Sequence, residues 1–193
     1  MRKYLLHVLI ISFVFLLAPT AHVATYAGEL EDAKEDVRNN PDDAWAHNNL
    51  GLAYYDSGKY KEAIKSYKQA IEINPDYAVV HGGLGDAYYN SDKYEEAIES
   101  YKQAIRIDPD YAMAHNNLGN TYITSGNYKE AIESCKQAIS IDPDFALAHY
   151  NLSLAYIMLN DRGSALDQYK ILKKLDTKKA KMLLDYIDKH TQP

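Results

Sequence analysis

Proline stands at positions 41, 75, 109 and 143, always 34 residues apart. The same interval separates Ala63, Ala97, Ala131 and Ala165, and again His47, His81, His115 and His149. Residues 42–75 and 110–143 agree at 23 of 34 positions. A period of this length is one supersecondary unit that cannot bury its apolar face alone, so the chain is constrained to fold by stacking near-copies against one another.

Each copy reads as two helices. Near 44–56, His47, Leu50, Gly51 and Tyr54 follow offsets of three and four, which is one helix face. Near 60–73, Ala63, Ile64, Tyr67, Ala70 and Ile71 form a second such face, backed by Lys61, Glu62, Lys65 and Lys68. The turn between them carries Gly58, then Asp92, Gly126 and Asn160 in later copies, types that tolerate a left-handed backbone. The "NPD" and "DPD" linkers read as helix starts, with Asn or Asp capping and proline in the first turn. Small residues (Gly51, Gly85, Gly119, Ser153, and the alanines of the second helix) let helices approach closely, and rings at Tyr67, Tyr101 and Tyr169 fill the space beyond. Cys135 stands in that ring column, which predicts a buried, inert thiol.

The columns Leu50, Gly51, Tyr54, Ala63, Tyr67, Ala70 and Pro75 resemble the tetratricopeptide repeat at its spacing. The resemblance covers 42–177 in four units, 42–75, 76–109, 110–143 and 144–177. The last departs from the pattern at Ser153, Leu172 and Thr177. It implies an all-α fold, a right-handed superhelical stack of helix-turn-helix repeats, with the first helix of each unit on the concave side. Residues 28–41, with Leu30, Ala33 and Val37, read as a decayed half unit. Residues 178–193, with Ala180, Leu183, Leu184 and Ile187, read as a closing helix that covers the last apolar face.

Residues 1–27 have a basic start, an apolar stretch at 5–18, and small residues at cleavage spacing before Gly28. This is the pattern of a secretory signal peptide and predicts export to a periplasm or the exterior; the alternative is an uncleaved anchor. The apolar stretch is short of the roughly 20 residues that span a bilayer.

The net charge of −6 argues against nucleic acid as a partner, since that needs clustered Lys and Arg. No nucleophile–base pair, glycine-rich phosphate loop or metal-ligand cluster recurs, which predicts no enzyme, no cofactor and no small-molecule substrate. Neighbouring histidines of the column stand about one helix spacing of 8–10 Å apart, too far to share a metal, and read as rings wedged between units.

The candidate binding residues lie on the first helices. They are the amides Asn48, Asn49, Asn116, Asn117 and Asn151, interrupted at Gly82 and Gly83, with Tyr55, Asp86, Tyr89 and Asn120 further along. An amide donates and accepts at once, so it can bond a peptide backbone without reading side chains; alternatively, these amides stay solvated or bond locally. The resemblance implies an asparagine ladder of the kind found in the repeat region of the O-linked N-acetylglucosamine transferase, here at Asn49, Asn117 and Asn151 and broken at Gly83. Family members that grip chaperone tails carry a basic clamp, whereas Trp45, Val79, Met113 and Leu147 occupy the column where lysine would be needed. The expected function is a non-enzymatic scaffold holding an extended peptide or partner helix in its groove. The alternative is a structural subunit of an envelope or secretion assembly, held through outer faces and rings such as Tyr60, Tyr94 and Tyr128.

Overall fold

The structure, a computed structural model, describes residues 28–190. The leader pattern over residues 1–27 lies outside the described residues. Those residues form two compact units, one ending at Asn74 and one beginning at Pro75.

The first unit contains α1 (28–39), α2 (Ala44–Asp56) and α3 (Tyr60–Ile73). Leu30 and Ala33 of α1 are buried, as are Ala63, Tyr67 and Ala70 of α3. The second unit runs α4 (Ala78–Tyr89), α5 (Tyr94–Ile107), α6 (Ala112–Thr124), α7 (Tyr128–Ile141), α8 (Ala146–Met158), α9 (Arg162–Leu175) and α10 (Thr177–His190). Within it every helix packs on the next. In addition α4 touches α6, α6 touches α8 and α8 touches α10, whereas α5, α7 and α9 do not touch one another. The first helices of the repeats therefore form the tighter, inner layer of a curved α-solenoid, and the second helices form the outer one. Among the described residues there is no strand, as the all-α expectation requires.

Both layers follow from side-chain size. Ala97, Ala131 and Ala165 are fully buried, so α5, α7 and α9 approach their first helices without standing off. Opposite them a Cβ added to Gly85 would lie 2.6 Å from Tyr101 Cε1, and one on Gly119 would lie 2.6 Å from Cys135 Sγ. The first unit repeats the arrangement, with Gly51 against Tyr67 at 2.6 Å. Cys135 is buried as its column implied, and burial pushes its thiol up to about 12, which leaves no thiolate at neutral pH.

The turns close as their residue types suggest. Gly58, Asp92, Gly126 and Asn160 adopt φ of +70°, +58°, +81° and +58°. That conformation lets the N–H groups of Lys59, Lys93, Asn127 and Asp161 reach back to the carbonyls of Tyr54, Tyr88, Tyr122 and Tyr156 at 2.8–3.0 Å.

The linkers differ from the sequence expectation. Asn74, Asp108 and Asp142 do not cap the following helix; they end the preceding one. The Asp108 and Asp142 carboxylates instead accept from the N–H groups of Asp110 and Asp144, both at 3.1 Å. The next helix begins only at alanine, three residues past the proline. In the first repeat Asp43 caps α2, accepting from the Trp45 N–H at 2.9 Å, and in every repeat the histidine column pins the linker. Nε2 of His47, His81, His115 and His149 donates to the carbonyl of Pro41, Pro75, Pro109 and Pro143 at 2.8–3.0 Å. Each ring thus rivets the proline that ends the preceding segment to the first turn of its own repeat. A carbonyl only accepts, so the bond requires the tautomer with the proton on Nε2.

The fourth repeat is adapted to end the stack. Ser153 replaces glycine, and its hydroxyl donates to the Ala165 carbonyl at 3.1 Å. Leu172 replaces alanine and joins Ile157, Ala165, Ala180, Leu183 and Ile187 in a buried cluster between α8, α9 and α10. The Arg162–Asp188 ion pair at 2.9 Å ties the start of α9 to the end of α10.

Candidate inner-face binding surface

The inner layer of the second unit is built from α4, α6 and α8. Their sequences, AVVHGGLGDAYY, AMAHNNLGNTYIT and ALAHYNLSLAYIM, contain no Lys, Arg or Glu and a single Asp. The outer helices α5 and α7 carry their charges as YEEAIESYKQAIRI and YKEAIESCKQAISI. One layer is therefore nearly neutral while the other is highly charged.

The amides behave differently from one another. Asn116 and Asn151 are 1% and 4% exposed, so they lie inside the stack and not on the groove surface. Asn151 Nδ2 donates to Asn116 Oδ1 at 3.0 Å, Asn116 Nδ2 donates to Asn117 Oδ1 at 3.0 Å, and Asn117 Nδ2 donates to Asp86 Oδ1 at 3.0 Å. The Tyr101 hydroxyl closes the chain on the same Asp86 oxygen at 2.6 Å. This line of side chains links repeats two, three and four, and it pairs the buried amides of Asn116 and Asn151 with each other. At Gly82, in the column of Asn116, a Cβ would lie 3.2 Å from the Tyr111 ring, which occupies the space an asparagine would take.

Asp86 is the pivot of that chain. Burial raises its carboxyl above the ordinary aspartate value, outweighing the bonds from Tyr101 and Asn117 that act the other way. The folded state therefore holds the proton more tightly than the unfolded chain does. Its contribution to stability is complete below the ordinary aspartate value and declines as pH rises through the raised one. In a carboxyl NMR titration Asp86 is expected to be the last of the aspartates to ionise. Asp86→Asn should remove that part of the pH dependence of unfolding, and an Asp86 midpoint at or below those of surface aspartates would contradict it.

Further along the same face, Tyr89 stacks edge-on against Tyr94 with centroids 5.6 Å apart, and its hydroxyl lies 3.1 Å from Thr124 Oγ1 of α6. Asn120 is half-buried beside Thr124, whose hydroxyl donates to the Asn120 carbonyl at 3.1 Å. An exposed apolar row lies outside the candidate residues. Val79, Met113 and Leu147, one from each inner helix and 34 residues apart, are 53%, 52% and 39% exposed. At this register the sequence shows the lack of a charge; the signal that could have found them is three apolar residues 34 apart on successive first helices.

The first unit presents its own version. Asn49 and Leu52 line a cleft of about 290 Å³ with Glu29, Asp32 and Asp36 of α1 and Asp56 of α2. Asn48 and Asn49 meet at 3.5 Å, and Tyr55 packs on Tyr60 at 5.6 Å. Trp45, at the register of Val79, is also exposed. Among the described residues no group of three His, Cys, Asp or Glu could hold a metal ion, and no helix is long and apolar enough to cross a membrane.

Comparison with known proteins agrees with this architecture. A family model described as "TPR repeat" matches residues 51–92 and 85–126, and one described as "Tetratricopeptide repeat" matches 112–145. No curated protein matches the chain. Among solved structures, MamA is similar at 29% identity and a TM-score of 0.74, covering 84% of this chain and 95% of its own. YrrB, described as a TPR protein with an unusual peptide-binding site, aligns at 21% identity and a TM-score of 0.70, covering 93% of this chain and 90% of its own. The first TPR of Spaghetti (RPAP3), bound to the HSP90 peptide SRMEEVD, aligns at 22% identity and a TM-score of 0.59, covering 60% of this chain and 92% of its own. The last two likenesses speak to the fold alone.

Proposed function

Since the chain carries tetratricopeptide repeats, we propose that it is a non-enzymatic scaffold that holds a segment of another protein on the inner face of α4, α6 and α8. The observation that carries this reading is the exposed row Val79, Met113 and Leu147 on helices otherwise stripped of charge. Uncharged, partly apolar surface of this kind suits protein contacts. Asp86, Tyr89, Asn117 and Asn120 border the row, while Asn116 and Asn151 hold the inner helices in register beneath it. In the first unit Asn48, Asn49 and Tyr55 hold the corresponding places on α2. Repeats of this type are generally non-enzymatic, and peptide binding is stated for YrrB and for the RPAP3 repeat. An acidic peptide such as SRMEEVD is a poor match here, because α4, α6 and α8 offer no cation to pair its carboxylates.

A photocrosslinking residue placed at Asn120 tests the reading in the native host. Adducts with a polypeptide are expected from Asn120 and not from Gln137 on the outer helix α7. The reverse pattern would favour the second reading, a subunit held in an envelope or secretion assembly through its outer face. That reading has one specific support: an outer crevice of about 430 Å³ lined by Leu118, Tyr122, Lys129, Glu130, Glu133 and Ser134. Export of either form rests on the leader pattern of residues 1–27; a secreted product beginning near Gly28 would support it, and a cytoplasmic chain that keeps Met1 would oppose it.

A further inference from the structure

We infer that Asp86 is the recognition point for a lysine side chain of the bound segment, its open Oδ2 receiving the ammonium group on the inner face of the second unit. The inference rests on the inner-face reading above and adds the charge of the occupant and the atom that reads it.

The two oxygens of Asp86 are not equivalent. Oδ1 accepts from the Tyr101 hydroxyl at 2.6 Å and from Asn117 Nδ2 at 3.0 Å, which uses both of its lone pairs. Among the described residues no group donates to Oδ2. No buried side-chain oxygen or nitrogen among those residues lacks a partner, so Oδ2 stands open to solvent. Asp86 follows Val79 by seven residues, two turns of α4, so both lie on one face of that helix, about 10 Å apart along its axis. The open oxygen thus borders the exposed apolar row.

No cation of this chain answers the carboxylate. The helices α4, α6 and α8 carry no Lys or Arg, and the polar side chains beside Asp86 are those of Tyr101, Asn117 and Tyr111. Burial raises the Asp86 carboxyl, opposed only by the bonds from Tyr101 and Asn117. A carboxylate shielded from water without a counter-ion is costly, and a cation brought by a ligand would offset that cost. It would also favour the ionised form, in the opposite sense to burial. The first unit, taken by itself, has the same sign: α2 carries no Lys or Arg, and Glu29, Asp32, Asp36 and Asp56 line the cleft of Asn49.

Geometry selects lysine among the cations. Arginine gains over lysine by laying its fork across both oxygens of a carboxylate. Here Oδ1 is already taken, and the end-on pairing left at Oδ2 suits the compact ammonium group. The lysine stem also has an apolar surface to lie on. The Tyr111 ring covers Gly82, which stands one turn before Asp86 on α4. A ring beside the carboxylate adds cation–π attraction for the head group.

The test uses the full chain and three amino-terminally labelled peptides of one length, read by fluorescence anisotropy. They share an uncharged Leu/Ser host and differ only at the central residue, which is Lys, Arg or Gln. The Lys peptide is expected to bind at least about tenfold more tightly than the Gln peptide and no more weakly than the Arg peptide. Asp86→Asn keeps an oxygen for Tyr101 and Asn117 while removing the charge. With circular dichroism unchanged, it should abolish the preference for Lys and leave the affinity of the Gln peptide as it was, whereas a loosened fold would weaken all three. Glu95→Gln, an equal loss of charge at an exposed position of the outer helix α5, should leave the preference intact. In the natural chain the Lys peptide should also move the Asp86 carboxyl resonance, and the Gln peptide should not. A preference that survives Asp86→Asn would reflect only the net charge of −6 and overturn the inference. Tenfold tighter binding of the Arg peptide would overturn the assignment to lysine. If the Gln peptide binds as well as the Lys peptide and binding falls with Met113→Ser, the inference fails and the inner-face reading survives. If no peptide binds, or binding ignores both Asp86 and Met113, both fail. Self-association of the full chain that Asp86→Asn abolishes would also overturn the inference, assigning the carboxylate to a second copy.

Discussion

Leu172→Ala is expected to cost about 2–5 kcal/mol, the range for emptying a fully buried leucine site. Leu172 is 0% exposed and stands among Ile157, Ala165, Ala180, Leu183 and Ile187. The earlier repeats hold alanine at this position, Ala70, Ala104 and Ala138, all fully buried. A truncated side chain there is thus compatible with the repeat when another repeat follows, but not when α10 does. In a stacked array each unit is stabilised by its neighbours, so the loss should be local. Hydrogen exchange should show lost protection in α8, α9 and α10 with α4 and α5 little changed. A uniform loss over α4–α10 would mean that the unit unfolds as one body, against this account.

Gly85→Ala is the second substitution expected to act strongly, and its sign is informative. Alanine in a helix interior is favoured over glycine by about 1 kcal/mol, so an open site would gain stability. Here the new Cβ would lie 2.6 Å from Tyr101 Cε1 and 2.9 Å from Cζ. The ring cannot retreat freely, because it is 2% exposed and its hydroxyl is held by Asp86 at 2.6 Å. Overpacking of this kind typically costs about 1–3 kcal/mol, so net destabilisation is expected in urea unfolding. In a Tyr101→Ala background the penalty should vanish and the helix preference reappear, which makes the pair a double-mutant cycle. A stabilising effect in the natural background would show that the ring yields. The fourth repeat shows how yielding looks: Ser153 occupies the glycine site and the Tyr169 ring is only half-buried.

Most of the fold was legible in the repeating letters. Glycine and asparagine at the turns, alanine at the close contacts and the 34-residue interval each have a local cause that needs no knowledge of the far chain. Gly58, Asp92, Gly126 and Asn160 adopt positive φ because their own backbones must, and the helix faces follow from periodicity alone. The linkers were less legible. An Asp before a proline can cap the helix ahead or close the one behind, and the letters do not distinguish the two.

The binding surface was legible only in part. Asn117, Asp86 and Asn120 do fall on the inner face, yet nothing local separates the half-buried Asn117 from the buried Asn116 beside it. Their difference arises because Asn116 meets Asn151 from the next repeat, a contact 35 residues away. Likewise Met113 and Leu118 are both apolar residues of one helix. The first is exposed and the second buried solely because of which neighbouring helices cover each side.

The sequence by itself determined an all-α stack, its repeat length, its turns and the split between a neutral inner and a charged outer helix, because these depend on residue type and short-range spacing. Only the tertiary structure decided that the histidines pin linkers, that the amides of Asn116 and Asn151 are spent inside the stack, and that an apolar row is left uncovered. Those outcomes depend on which polar and apolar groups meet across helices distant in the chain, and burial and hydrogen-bond pairing are settled only when the helices pack.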